Sequence, residues 1–267
     1  MFCLLNWIFN RFNKLLKVKT SKLSIIFPMK NKSKYKLHNS VPITMGIIVL
    51  LITFLFIILN GTYFYKENDS IYNNVPQLQA IFKQFTTVFY FTYLSNIFLG
   101  IMLIVLGVKR QSMTVKRLFF LSVALITVTF IVYWALISYK QSTWEKPYYE
   151  AIKSILTHAI HPIIGFIILG LIRKEVSISS KTIKTAIIIV ISYLIFAFIV
   201  YLSTYSRFVE YRGVVIYSFL DFAYPLFYKA GNPLIVLLLN ATIIIIAFAL
   251  PIGLVYFWKA VYRIKNI

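Results

Sequence analysis

Six runs of about twenty apolar residues, none with an Asp, Glu, Lys or Arg inside, constrain this 267-residue chain more than any other feature. Crossing about 30 Å of hydrocarbon takes roughly 20 apolar residues at 1.5 Å rise each. The runs cover 43–64, 86–108, 118–139, 154–172, 185–204 and 234–258. Each must satisfy its own backbone hydrogen bonds in lipid, which leaves the helix as the solution for an isolated span. The expectation is an all-α, polytopic integral membrane bundle of six transmembrane helices. Composition agrees. The chain is 60% hydrophobic and 13% charged, whereas soluble domains run at about 45–50% and about 25%.

The charges between the runs predict an orientation. The arm before Ser40, the second and fourth connections and the tail after Trp258 together hold twenty Lys and Arg against one acid, Glu175. The other connections hold eight basic residues and the remaining six acids. Excess Lys and Arg mark the cytoplasmic face. N and C termini are therefore expected in the cytoplasm of a cell-membrane protein, where anionic lipids attract them. The net charge of +21 then needs no nucleic-acid partner.

The arm, residues 1–40, divides in two. Its first 28 residues interleave Phe2, Leu4, Leu5, Trp7, Ile8, Phe9 and Phe12 with Arg11, Lys14, Lys17 and Lys19, the pattern of an amphipathic helix lying in the membrane interface. The alternative is an upstream mis-start, because Met29 opens a basic, polar run that resembles an ordinary cytoplasmic beginning. A basic tail, 259–267, closes the chain. The connection 205–233 is unusually apolar and aromatic (VVIYSFLDFAYPLFY), and is expected to fold back on the bundle as a re-entrant or interfacial lid.

Soluble-enzyme signatures are missing: there is no phosphate-binding glycine loop, GxSxG elbow or HExxH pair. No intramembrane carboxylate is present for ion coupling. Cys3 is the single cysteine, so intramolecular disulfides and iron–sulfur clusters are excluded. Two histidines without a carboxylate or thiolate in the spans make an incomplete metal set. No metal or other cofactor is expected.

What remains is a layer of polar side chains. Counting from the outer end of each run, Thr92, Asn96, His158, His161, Asn60 and Asn240 all fall roughly 6–15 Å deep at 1.5 Å per residue. His158 and His161 share a helix face, as do Thr92 and Asn96. Pro162 lacks the N–H that would reach the His158 carbonyl, so a kink and a free acceptor are expected there. The plain reading is interhelical glue, worth about 0.6 kcal/mol per hydrogen bond. Trp134, Trp144 and the tyrosines read as interfacial belt residues.

The segments FTYLSN (Phe91 to Asn96) and LTHAIHP (Leu156 to Pro162) resemble the androgen-induced membrane protein family and its six-span bacterial relatives. Animal members of that family are threonine hydrolases of fatty acid esters of hydroxy fatty acids. The resemblance implies Thr92, in its Thr-aromatic-Leu context, as nucleophile and His158, in a His-x-x-His context, as base. The two motifs lie closer together here than in the animal proteins. A downstream Trp-x-Tyr-Pro element of the family matches only loosely at Gly213 to Asp221, where Ser218 follows Tyr217.

Two readings stand. In the first, the chain is an intramembrane hydrolase of lipid esters, with His161 or Asn96 orienting the pair and Asn240 or Asn60 donating to an oxyanion. In the second, it is a non-catalytic transporter or an assembly or scaffold protein. The separation of Thr92 and His158 distinguishes them.

Overall fold

The computed structural model describes residues 37–65, 70–138 and 148–266. The amphipathic stretch expected in residues 1–28 lies outside them, as does Trp144. Helices form where the apolar runs predict, and the order is α1 (Ser40–Gly61), a short hairpin of β1 (Ile71–Tyr72) and β2 (Val75–Pro76), α2 (Gln79–Phe82), α3 (Phe91–Val108), α4 (Met113–Leu136), α5 (Tyr148–Ile155), α6 (His161–Ile172), α7 (Ser180–Ser203) and α8 (Pro233–Tyr262). A π-helical turn, Leu156–Ile160, joins α5 to α6. The six helical segments long and apolar enough to cross a membrane are Ser40–Gly61, Gln79–Val108, Met113–Leu136, Tyr148–Glu175, Ser180–Ser203 and Pro233–Tyr262, as befits a multi-pass membrane protein.

All six segments start earlier in the chain than the uncharged runs. Lys116 and Arg117 lie within α4, and Lys181 and Lys184 within α7. A helix continues past the apolar slab wherever its polar first turn can reach water, so absence of charge marks the span and not the helix.

Helix α4 forms the centre, with 67% of its most apolar window buried, whereas α8 buries 11%. Leu234, Leu237, Leu238, Ile244 and Ile245 of α8 are open, a surface suited to lipid and not to water. Helices α1 and α3 pack backbone to backbone. A Cβ on Gly46 would meet the Gly100 carbonyl at 2.6 Å, the close approach that small residues permit between membrane helices.

One end of the bundle is held by charge. Arg110, 6% exposed, pairs with Glu175 through two nitrogens and also donates to the Leu37 carbonyl. Lys116 reaches the same carboxylate at 3.5 Å. There β3 (Ser177–Ile178) pairs in parallel with β4 (Lys265–Asn266), so both ends of the described chain meet at this basic face. At the opposite end the connection 205–232 lies against the bundle with no α-helix, only the 3-10 turns Ser218–Leu220 and Pro225–Phe227. Val214, Val215, Ile216 and Leu220 are buried. The Val215 N–H donates to the Pro76 carbonyl at 2.9 Å and the Val214 N–H to Thr204 Oγ1 at 2.8 Å. Such bonds are what irregular backbone needs when removed from water.

Candidate functional site

Thr92 opens the first turn of α3, where the backbone N–H groups lack intrahelical partners. Its hydroxyl oxygen lies 3.3 Å from His158 Nε2. His158 stands in the π turn, whose geometry follows from Pro162. In this turn the His161 N–H reaches back to the Leu156 carbonyl, and Pro162 supplies no donor for the next acceptors. Neighbouring helices supply them instead. Asn96 Nδ2 donates to the Thr157 carbonyl at 3.2 Å, and the Trp134 indole donates to the His158 carbonyl at 3.2 Å.

The hydrogen bonds fix which imidazole nitrogen carries the proton. His158 Nδ1 lies 3.0 Å from the Ser154 carbonyl and 3.0 Å from Thr157 Oγ1. The Thr157 hydroxyl commits its proton to the Lys153 carbonyl at 2.8 Å, so it offers Nδ1 only lone pairs. Both neighbours of Nδ1 are acceptors. Neutral His158 is therefore protonated at Nδ1, and Nε2 presents a lone pair to the Thr92 hydroxyl. The Tyr133 ring stacks on the imidazole at 3.9 Å and 17°, holding its plane.

Asn96 is fully buried and ties the two motifs together. Besides the Thr157 carbonyl it donates to the Thr92 carbonyl at 2.7 Å, while its Oδ1 lies 2.7 Å from His161 Nδ1. His161 thus acts on Asn96 and makes no hydrogen bond to Thr92 or His158. Its Nε2 is buried without a partner among the described residues. Ser95 adds a link, accepting from the Thr129 hydroxyl at 2.7 Å and donating its one proton to the Thr92 carbonyl at 3.0 Å.

A cavity of about 340 Å³ opens beside the pair, with Thr92, His158, Asn60, Tyr93, Lys153 and Tyr217 among its walls. Asn60 accepts from Tyr149 and Lys153 and donates to Tyr93. Asn240 is not in this cavity. It lines a separate apolar groove of about 560 Å³ between α7 and α8 and donates to the Phe222 carbonyl at 2.9 Å. Matched depth does not bring it to Thr92: its amide is held at Phe222, whereas the cavity beside Thr92 is walled by Ile216 to Phe219 of the same connection.

Several contributors escape sequence reasoning. Tyr217 reaches in from the 205–232 connection, its phenol set against the Thr92 hydroxyl and backbone N–H and against Tyr193; burial pushes its pKa above the ordinary value. Tyr193 holds the start of α3, accepting from the Phe91 N–H and donating to the Phe89 carbonyl, each at 2.9 Å. Tyr133 and Trp134 read as belt residues by composition but grip His158. The available signal for Tyr133 is its i, i+4 spacing from Thr129, which places both on the α4 face that meets α3 and the π turn. Among the described residues no three His, Cys, Asp or Glu side chains converge as a metal site would need. The chain matches no family model, no curated protein and no solved structure.

Proposed function

We propose that this protein is an intramembrane hydrolase of lipid esters, with Thr92 as nucleophile and His158 as general base. The observation that carries the reading is the Thr92 Oγ1 to His158 Nε2 contact of 3.3 Å, with Nδ1 committed elsewhere. As Thr92 Oγ forms its bond to the ester carbonyl carbon, its proton passes to Nε2. Collapse of the tetrahedral adduct breaks the bond to the alcohol oxygen, which takes that proton from Nε2. Water then repeats the sequence on the acyl-threonine and releases the acid. The Ser154 carbonyl fills the orienting role on Nδ1, and the Tyr133 face lies against the imidazolium that forms. General-base catalysis of this kind contributes about 10²–10⁴-fold.

The cavity suits one end of such a substrate. At about 340 Å³ it falls in the range of ligand pockets, about 300–1,000 Å³, with room for an ester group and part of its chain. The resemblance of FTYLSN and LTHAIHP to the androgen-induced membrane protein family points to the same two residues. The basic end of the bundle faces the cytoplasm in this reading, which puts the cavity in the outer half of the cell membrane.

A lipophilic fluorophosphonate tests the assignment. Purified wild type should be labelled, with the adduct on Thr92 by mass spectrometry, and Thr92→Ala should stay unlabelled. Equal labelling of both would overturn the assignment. Impermeant maleimide on whole cells tests the orientation in a Cys3→Ser background: Gly231→Cys should react and Lys174→Cys should not.

A further inference from the structure

One wall of the cavity is a series of hydrogen bonds whose directions are set by chemistry. Lys153 has donors and no acceptor. Its Nζ lies 2.5 Å from Glu150 Oε1 and 3.3 Å from Asn60 Oδ1, where the Tyr149 hydroxyl also donates at 3.0 Å. With two donors on Oδ1, the Asn60 amide nitrogen must face the other way. It donates to the Tyr93 phenol oxygen at 3.1 Å. Tyr93 is the acceptor in that bond, and its own proton meets no acceptor among the described residues. Yet Tyr93 is 6% exposed and lines the cavity with Thr92 and His158.

A buried phenol with an uncommitted proton at a cavity wall is a donor waiting for a ligand oxygen. Bonds in series polarise one another, so the Lys153 charge, passed through the Asn60 amide, makes the Tyr93 O–H a stronger donor. We propose that Tyr93 donates to an acceptor oxygen of the ester substrate, and that Asn60 and Lys153 position and polarise it. The proposal rests on the hydrolase reading for the substrate class. The oxygen is either the carbonyl of the reacting ester or a headgroup oxygen beside it, and kinetics separates the two.

The experiment is the time course of fluorophosphonate labelling on the purified full chain, resolved into the maximal inactivation rate and the half-saturating probe concentration. The phosphoryl oxygen stands in for the ester carbonyl oxygen. Tyr93→Phe keeps the ring and removes the hydroxyl, both the donor to the ligand and the acceptor for Asn60, and labelling efficiency should fall at least tenfold. A fall in the maximal rate assigns the oxygen on the reacting centre; a rise in the half-saturating concentration assigns the neighbouring oxygen. Lys153→Met should change the same parameter in the same direction at least threefold, and should add little in the Tyr93→Phe background because the two act in series. Tyr63→Phe, at an 80% exposed tyrosine, should change nothing. If Tyr93→Phe does not fold, Lys153→Met carries the test, and unchanged labelling there overturns the proposal. A labelled wild type with an equally fast Tyr93→Phe overturns the proposal and leaves the hydrolase reading standing. A wild type that resists labelling overturns both.

Discussion

The Trp134 indole N–H donates to the His158 carbonyl at 3.2 Å, an acceptor that Pro162 leaves without a helical partner. A side chain of α4 thereby completes the backbone of the turn that carries the base. Trp134→Phe removes the donor and keeps an aromatic ring. The loss should be about 0.6–1 kcal/mol, or about 1–4 °C in the thermal midpoint in detergent. Fluorophosphonate labelling should slow several-fold as the π turn relaxes. A variant with the wild-type midpoint and labelling rate would show that the bond supports neither.

Thr92 and His158 should behave as one unit. Thr92→Ala and His158→Ala should each abolish ester hydrolysis, and the double variant should lose little more, because residues of one reacting pair are grossly non-additive. Thr92→Ser keeps the hydroxyl and should retain some turnover. His161→Ala acts through Asn96 and should be milder than His158→Ala. Full activity in Thr92→Ala would reject the pairing.

The six spans are legible in the sequence because lipid imposes a length and forbids charge within it. Helix ends are not, since Lys116, Arg117, Lys181 and Lys184 belong to helices that extend beyond the apolar slab. The polar layer is half legible. Depth follows from counting along each span, and it places Thr92, Asn96, His158 and His161 at one level. Which spans face one another does not follow from depth, and Asn240 shows the difference: counting puts it at the same level, but it lines a different groove and is held at Phe222. Tyr217 is hidden for another reason. It belongs to a connection, and its contact with Thr92 exists only once that connection packs on Pro76 and Thr204. The acceptor freed by Pro162 is visible in the sequence, and the donor that takes it, Trp134, is not, because an aromatic at a span end carries no sign of its direction.

Gly213 sets the seat of that connection. A Cβ there would meet the Tyr201 carbonyl oxygen at 2.2 Å and its carbon at 2.8 Å, both backbone atoms. Gly213→Ala must therefore move the segment leading to Tyr217. Overpacking of this kind destabilises by about 1–3 kcal/mol, and labelling of Thr92 should weaken with it. Gly253→Ala is the matched comparison, because nothing lies within 4 Å of its added Cβ and alanine favours a helix by up to about 1 kcal/mol. Thermal midpoints should move in opposite directions for the two variants. A Gly213→Ala midpoint that does not fall would contradict the packing described for Gly213, and a fall for Gly253→Ala would contradict the open space described there.

Asp221 should give the lid connection a pH dependence of a particular sign. The residue is 4% exposed. Burial raises its carboxyl above the ordinary 3.8, against the pull of the Ala223 N–H, Arg212 and the Tyr224 N–H. A carboxyl whose folded value is raised holds its proton more tightly in the folded chain than in the unfolded one. Its contribution to stability is thus present at low pH and is lost as pH rises through the window between 3.8 and the raised value. Asp221→Asn stays neutral throughout and keeps an oxygen for the Ala223 and Tyr224 N–H groups, which now lie at 3.1 and 3.4 Å. Arg212 loses its partner at 3.6 Å but remains over the Tyr224 ring at 4.3 Å. Thermal midpoints of both proteins, measured from pH 7 down towards pH 4, should show wild type gaining on Asp221→Asn as the solution becomes more acidic. A difference that stays constant across that range, or that runs the other way, would reject a raised carboxyl at this position.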